Sequence, residues 1–376
     1  MTDKFDMRLQ KLQQYLEHHE IDLAIILRRA DIYFLSNTSQ DGVLCIPKSG
    51  VPQLFLRTGL DRAKKESVLS VEQIKGYSDL KNYVSPPSFI WFDEIVPTGL
   101  FWRFQKEFPN AEFQNIASIV REIRAVKAPD EIAAIKEAGK LTDLGIIVAK
   151  EQLKQGMSEL ELAAEIEYAM RKEGHQEGIQ FRAFNSILSQ HILSGQNAAI
   201  SSEGSTPLIG KGLSPSFPFG VSKRKIQKNE PVIIDIVGKY QGWLADQTRT
   251  IWDGNLPEKL YSAHLACQEI LKVVIDAARI GITAGELYVA AIKKAKELGY
   301  ENEFMGGAAF IGHGVGLEID ELPILARKQS LTPQEGMVIA IEPKIVFKEL
   351  GAVGIENTYV IENGVLSKIT SASIQV

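Results

Sequence analysis

Asp235 stands inside Val232-Ile233-Ile234-Asp235-Ile236-Val237-Gly238, an apolar run in which an unpaired carboxylate is expensive to bury. Asp246 follows 11 residues on, in Ala245-Asp246-Gln247-Thr248-Arg249-Thr250, after the turn residues Tyr240-Gln241-Gly242-Trp243. Two strands joined there make a hairpin that returns Asp246 beside Asp235. Two carboxylates brought together in a core repel each other and demand a cation, from an Arg or a metal ion. Arg249 can serve one Asp while the other is solvated at the rim, so the hairpin alone leaves both readings open. A second set lies downstream. Met337-Val338-Ile339-Ala340-Ile341-Glu342-Pro343 ends an apolar strand in a carboxylate, and Gly354-Ile355-Glu356-Asn357-Thr358-Tyr359-Val360-Ile361 carries one near its start, with Phe347-Lys348-Glu349-Leu350-Gly351 as the turn between. His313, in Gly312-His313-Gly314-Val315-Gly316-Leu317-Glu318, has glycines on both sides that leave the backbone room for close approach. His18, His19, His175, His191 and His264 read as packed or surface residues. Four strand carboxylates and one neutral imidazole nitrogen make a dinuclear set: two divalent ions about 3.5–4 Å apart lower the pKa of a shared water and polarise a carbonyl. Oxygen-rich ligation with one imidazole suits Mn, Co, Fe or Zn.

These residues need a large scaffold, and the chain supplies one. Its 376 residues exceed one domain at roughly 150 residues each. At 45% hydrophobic and 24% charged it is of ordinary globular composition, which excludes a wholly disordered or fibrous chain. The balance of 42 Lys+Arg against 47 Asp+Glu, a net charge of −5, gives no bulk attraction to nucleic acid or an acidic membrane. Cys45 and Cys267 are too few for a disulfide framework and fit a reducing compartment. With no signal-like N-terminus and no apolar run of about 18 residues, the expectation is a soluble, cytoplasmic protein.

Along residues 1–120, helix-like and strand-like stretches alternate. Arg8 to Glu20 has helical spacing, Ile21 to Leu27 is a short apolar run, and Tyr33–Leu35, Gly42–Pro47 and Gln53–Leu56 read as strands. A small α/β domain follows from that pattern, with a boundary near 124, where Arg121 to Lys140 turns charged and Pro129-Asp130-Glu131 starts a helix. A second helix is expected from Asp143 to about Leu153. Beyond it, Gly156-Met157-Ser158-Glu159-Leu160-Glu161-Leu162 resembles Gly281-Ile282-Thr283-Ala284-Gly285-Glu286-Leu287, 125 residues later; each has a Ser or Thr followed three residues on by Glu, the reciprocal capping box. The matching entries, and the strand pairs that follow both, predict a duplicated α+β half. From Ser201 to Gly220, 12 of 20 residues are Ser, Gly or Pro, expected to form a loop on the substrate side.

Asp235-x10-Asp246, the segment 312–318, Ile341-Glu342-Pro343 and Ile355-Glu356 resemble the five-ligand signature of the pita-bread metallopeptidases, a group that includes aminopeptidase P, prolidase, methionine aminopeptidase and the metal-free creatinase. Arg121-x-x-Arg124-x-x-Lys127-x-x-x-Glu131-Ile132 is similar to the first helix of that catalytic domain, and the first 120 residues to the creatinase-type N-terminal domain. The resemblance implies an α/β N-terminal domain over 1–124 and an α+β pita-bread catalytic domain over 125–376 with an internal pseudo-twofold duplication. It implies that Asp235 binds one metal, His313 with Glu342 the other, and that Asp246 and Glu356 bridge the two. Glu342 would double as the general base for the bridging water. The expected substrate is a short X-Pro peptide, whose amide has no N–H, and the expected assembly a homodimer.

Departures from the family pattern lie on the substrate side. Where the family has a His five residues after Asn, Asn197 is followed by Ala198-Ala199-Ile200-Ser201-Ser202; Asp320 holds the place of a second His; Gly354 stands where an Arg is usual, and Lys344 where Gly often follows Glu-Pro. His191, Asp320 and Lys344 are candidates for substrate contacts in their stead, although a surface His191 and a solvated Lys344 are the ordinary expectation for each. Two other functions share this sequence: the same metal site acting on a non-peptide C–N bond, as creatinase does, and an inactive binding module.

Overall fold

The computed structural model describes residues 4–84, 86–183, 190–200, 206–279 and 281–373. The chain divides into two compact units, Met1–Arg124 and Ala125–Val376.

In the first unit a six-stranded mixed sheet runs in the order Ser70–Gln73, Gln53–Leu56, Gly42–Pro47, Leu23–Ile26, Phe89–Phe92, Glu112–Asn115. Leu23–Ile26 is buried throughout, as a central strand covered on both faces must be. Tyr33–Leu35 is not a strand. It lies in the helix Arg29–Ser36, which ends at Asn37 in the left-handed region (φ 66°), its N–H donating to the Tyr33 carbonyl. The Arg8 guanidinium lies 3.7 Å over the Phe34 ring and donates to the Phe34 carbonyl, fixing that turn. An aromatic run of three residues is compatible with either period, and here the cap and the tertiary contact decide.

The second unit is built from two similar halves. In the first, the helices Pro129–Gln152 and Glu159–Lys172 cover a three-stranded antiparallel sheet of His191–Ser194, Val232–Tyr240 and Trp243–Ile251. Their shared core holds Leu141, Ile146, Leu162, Ile166, Met170, Ile234 and Ile236. Pro129–Gln152 is one uninterrupted helix of 24 residues rather than two, because Leu141, Thr142, Gly145 and Ile146 continue its buried face across the expected break. Gly238 makes that packing possible, since a Cβ there would clash with the Ala138 carbonyl of the helix. In the second half, Glu258–Ala277 and Ala284–Glu297 pack with Ile311, Ile339, Ile341, Ile345 and Tyr359. Those residues belong to a five-stranded sheet, ordered Glu321–Ala326, Phe310–Gly314, Val338–Ile341, Asn357–Glu362, Val365–Lys368, and to the hairpin Lys344–Phe347 with Gly351–Gly354.

Both capping boxes form. Ser158 and Thr283 each accept the N–H of the Glu three residues on, and that Glu returns to the cap residue's own N–H. The helices they start are each 14 residues long, and Gly174 and Gly299, in the left-handed region at φ 93° and 84°, follow them.

Of the Ser/Gly/Pro-rich loop, residues 201–205 lie outside the described residues. The remainder is anchored: Lys211 donates its N–H to the Asn197 side chain, which in turn donates to Glu159. The Glu159 carboxylate is fully buried and also accepts from the backbone and hydroxyls of Ser194 and Ser222.

Candidate metal centre

Strand register accounts for the positions of all four carboxylates. In the hairpin Val232–Tyr240/Trp243–Ile251, Asp246 pairs with Val237 and Thr248 with Asp235, so the two Asp residues lie diagonally on one face. His191, on the neighbouring strand, pairs with Asp235 from the other side. In the second half Lys344 pairs with Gly354. Continuing that register by two residues sets Glu342 opposite Glu356, with Lys344 on the same face as Glu342. His313 comes from the strand paired with Val338–Ile341, opposite Ala340.

The two halves are joined at this point. Glu356 donates its N–H to the Thr248 carbonyl at 3.0 Å, and Asp246 donates its own to the Thr358 hydroxyl at 2.9 Å. The Thr248 hydroxyl donates to Glu356 Oε2 at 2.6 Å. Arg249 pairs with neither Asp. It faces away from the cluster and donates to the carbonyls of Thr248, Glu356 and Ala372 and to the Asn357 side chain, holding the Glu356 segment against the hairpin. The glycines beside His313 serve strand packing: a Cβ at Gly312 would clash with the Ala340 carbonyl and one at Gly314 with that of Leu322.

Asp235, Asp246, His313, Glu342 and Glu356 therefore converge. His313 Nε2 is 3.4 Å from Glu342 Oε1 and 3.9 Å from Asp246 Oδ2, while its Nδ1 lies 3.2 Å from the Gly314 carbonyl. A proton on Nδ1 can be shared with that carbonyl, so that Nε2, which faces the carboxylates, would give up its own proton to ligate an ion bound there. Asp246, His313 and Glu356 each offer one ligand atom, all within 4.8 Å of one another. Among the described residues, Asp246 Oδ1 and Glu356 Oε1 are buried with no hydrogen-bond partner. Orphaned buried carboxylate oxygens beside an imidazole nitrogen are what a divalent cation would satisfy, and on this side the residues fit one.

Around Asp235 they fit less well. Lys344, only 1% exposed, places Nζ 3.4 Å from Asp235 Oδ2, 3.2 Å from Glu356 Oε2 and in contact with Glu342 Oε2. The solvated-lysine expectation is overturned, and so is the surface reading of His191, which is 7% exposed. Asp320 holds backbone: its two oxygens accept the N–H groups of Arg182 and Ala183. What reading the sequence missed at Lys344 was parity: residues i and i+2 of an extended chain share a face, and Glu342 faces the cluster.

The charges follow the same division. Burial and the neighbouring Glu356 and Asp235 push the Asp246 carboxyl well above the usual carboxylate range, and burial with the other acids raises Glu356 to about 7 despite Lys344. Against its own burial, Glu342 is held down at about 2 by Lys344 and His313. Lys344 is kept charged by Asp235, Glu342 and Glu356, which outweigh its desolvation. Desolvation also opposes charge on His313, yet Glu342, Asp246 and Glu356 raise it to about 10; His191 is lowered by burial. Without an added cation, Asp246 and Glu356 hold protons more tightly than an ordinary carboxylate, whereas Glu342, beside Lys344, holds them less tightly.

Residues 133–363 match the model of metallopeptidase family M24, and residues 8–126 that of the creatinase/prolidase N-terminal domain. The chain is 31% identical to the Xaa-Pro dipeptidase of Pyrococcus furiosus over 365 residues, covering 95% of this chain and 96% of that one. It is 28% identical to the Xaa-Pro dipeptidase of Pyrococcus horikoshii, covering 98% of each. The crystal structure of the prolidase from Pyrococcus horikoshii OT3 superposes with a TM-score of 0.86 at 28% identity, covering 98% of this chain and 99% of that one. A creatinase-type N-terminal domain and a pita-bread catalytic domain with a five-residue acidic and imidazole cluster thus make this chain a member of metallopeptidase family M24.

Proposed function

We propose that the protein is a metal-dependent Xaa-Pro dipeptidase, with Asp235, Asp246, His313, Glu342 and Glu356 as the cation-binding cluster. The observation that carries this reading is the pair of orphaned oxygens, Asp246 Oδ1 and Glu356 Oε1, buried beside His313. When bound, a divalent ion supplies Lewis-acid polarisation of the scissile carbonyl and acidifies water. Asp246, His313, Glu342 and Glu356 would hold it; the two-ion expectation meets Lys344 at the Asp235 side.

Glu342 is the proton acceptor in this reading. Lys344 and His313 hold its carboxyl well below the usual carboxylate range, so it is ionised at neutral pH, the form that can accept a proton. It lies 3.4 Å from His313 and is only 5% exposed, which removes competing water from the transfer. Thr248 and Arg249 orient Glu356 through its side chain and its backbone respectively. An X-Pro amide has no N–H to recognise, so selectivity must come from the shape around the proline ring and from whatever holds the substrate's termini. His191, neutral and paired with the Asp235 rung, is the candidate on that side; Asp320 acts through the 182–183 backbone that it holds. The reading carries with it a homodimer in the cytoplasm, where a reducing environment would suit the two buried free cysteines.

The test is hydrolysis of a panel of Xaa-Pro and Xaa-Pro-Yaa peptides with Mn or Co. Cleavage of the dipeptides, lost on chelation and restored by metal, is expected. Full metal loading with no proline peptide cut would overturn the peptide assignment in favour of another C–N substrate, and the missing His and Arg positions are where such a change would originate.

A further inference from the structure

We infer that this chain supplies one of its centre's cations from its own sequence: the Lys344 ammonium takes the place among Asp235, Glu342 and Glu356 that a second divalent ion would need, so the centre binds a single divalent ion, at Asp246, His313, Glu342 and Glu356. The inference rests on the metallopeptidase reading above and specifies its cation content.

Three of the four carboxylates surround Nζ: Asp235 Oδ2 at 3.4 Å, Glu356 Oε2 at 3.2 Å and Glu342 Oε2 in contact. A divalent ion ligated by carboxylates sits about 2.0–2.2 Å from their oxygens. One held by Asp235 with Glu342 or Glu356 would draw on the oxygens the ammonium already uses, and it would meet the like charge of the ammonium in a buried space. The opposite side of the cluster has the reverse character. There Glu356 Oε1 and Asp246 Oδ1 have no donor among the described residues, and Glu342 turns its other oxygen, Oε1, to His313. The cluster is thus divided oxygen by oxygen, Glu342 and Glu356 each giving one to the ammonium and one to the His313 side.

The position of the lysine is built into the strands. Lys344 faces Gly354 across the hairpin, and a Cβ at 354 would lie 2.6 Å from Lys344 Cγ. The stem occupies the slot that this glycine leaves, so a side chain at 354 and an inward lysine at 344 exclude one another. At 1% exposure the ammonium is desolvated and held by the carboxylates of Asp235, Glu342 and Glu356.

The test is equilibrium dialysis of the full-length protein against Mn(II), read by metal analysis and by electron paramagnetic resonance, beside Lys344→Gly. The wild-type protein is expected to hold one Mn per chain with the six-line spectrum of an isolated ion, and Lys344→Gly two per chain with a spin-coupled spectrum. Two ions in the wild-type protein would overturn the inference and leave the metallopeptidase reading standing. No ion would overturn both. A folded Lys344→Gly that still binds one ion would also overturn it, because the ammonium would then not be what excludes the second. If that variant fails to fold, the wild-type count and spectrum decide alone.

Discussion

The two halves of the catalytic unit use the same parts to different ends. Each sets a capped 14-residue helix against antiparallel strands, and each brings two carboxylates to the shared centre. In the first half the third residue on the acidic face is His191, buried and with its pKa lowered, so Asp235 and Asp246 receive no positive charge from their own half. In the second half that residue is Lys344, and its charge crosses the boundary to Asp235. The carboxylates left wanting a cation are then one from each half, Asp246 and Glu356. A duplicated scaffold fixes where acids can meet, while a single neighbour decides which of them need an external ion.

Replacing Glu342 by Gln tests the cluster's most consequential member. It retains shape and removes the proton acceptor, and turnover of an Xaa-Pro dipeptide is expected to fall about 10³-fold, within the range of general acid–base contributions, with the circular dichroism spectrum unchanged. Near-normal turnover would remove Glu342 from that role. Lys344→Met sharpens the contrast between halves. Taking one partner from a buried ionic group costs about 3–5 kcal/mol, so the metal-free variant should melt well below the wild-type protein and recover when Mn is added. In the first half Gly238→Ala should act on packing alone: a Cβ pressed against the Ala138 carbonyl costs about 1–3 kcal/mol and leaves the metal count unchanged.

The smallest effect is on pH, and here the halves agree. His175 and His264 are both lowered by burial to about 4. In the unfolded chain each titrates near 6.5, so between these values the unfolded state binds more protons. The contribution of these two histidines is full above about pH 6.5 and declines as pH falls toward 4. His264→Gln should flatten that slope in melting experiments at fixed metal; an unchanged slope would exclude His264 as a source.

Much of this was legible in the residues. The 11-residue spacing of Asp235 and Asp246 matches a diagonal pair in a tight hairpin, and Glu342 and Glu356 end and begin apolar strands. The capping boxes read directly, because their hydrogen bonds are local. Tertiary contacts set what was not legible. Tyr33–Leu35 became helical through Asn37 and Arg8, and Pro129–Gln152 stayed whole because its buried face runs through the expected break. Lys344 is the instructive case. Its type says solvent, its strand parity says cluster, and the slot over Gly354 settles the matter.

The most direct measurement is an anomalous-scattering map from crystals soaked in Mn(II). One peak within ligand distance of Asp246, His313 and Glu356, with the Lys344 ammonium still against Asp235, is the expected result. Two peaks flanking Glu356, with Lys344 displaced, or no peak within the cluster, would contradict it.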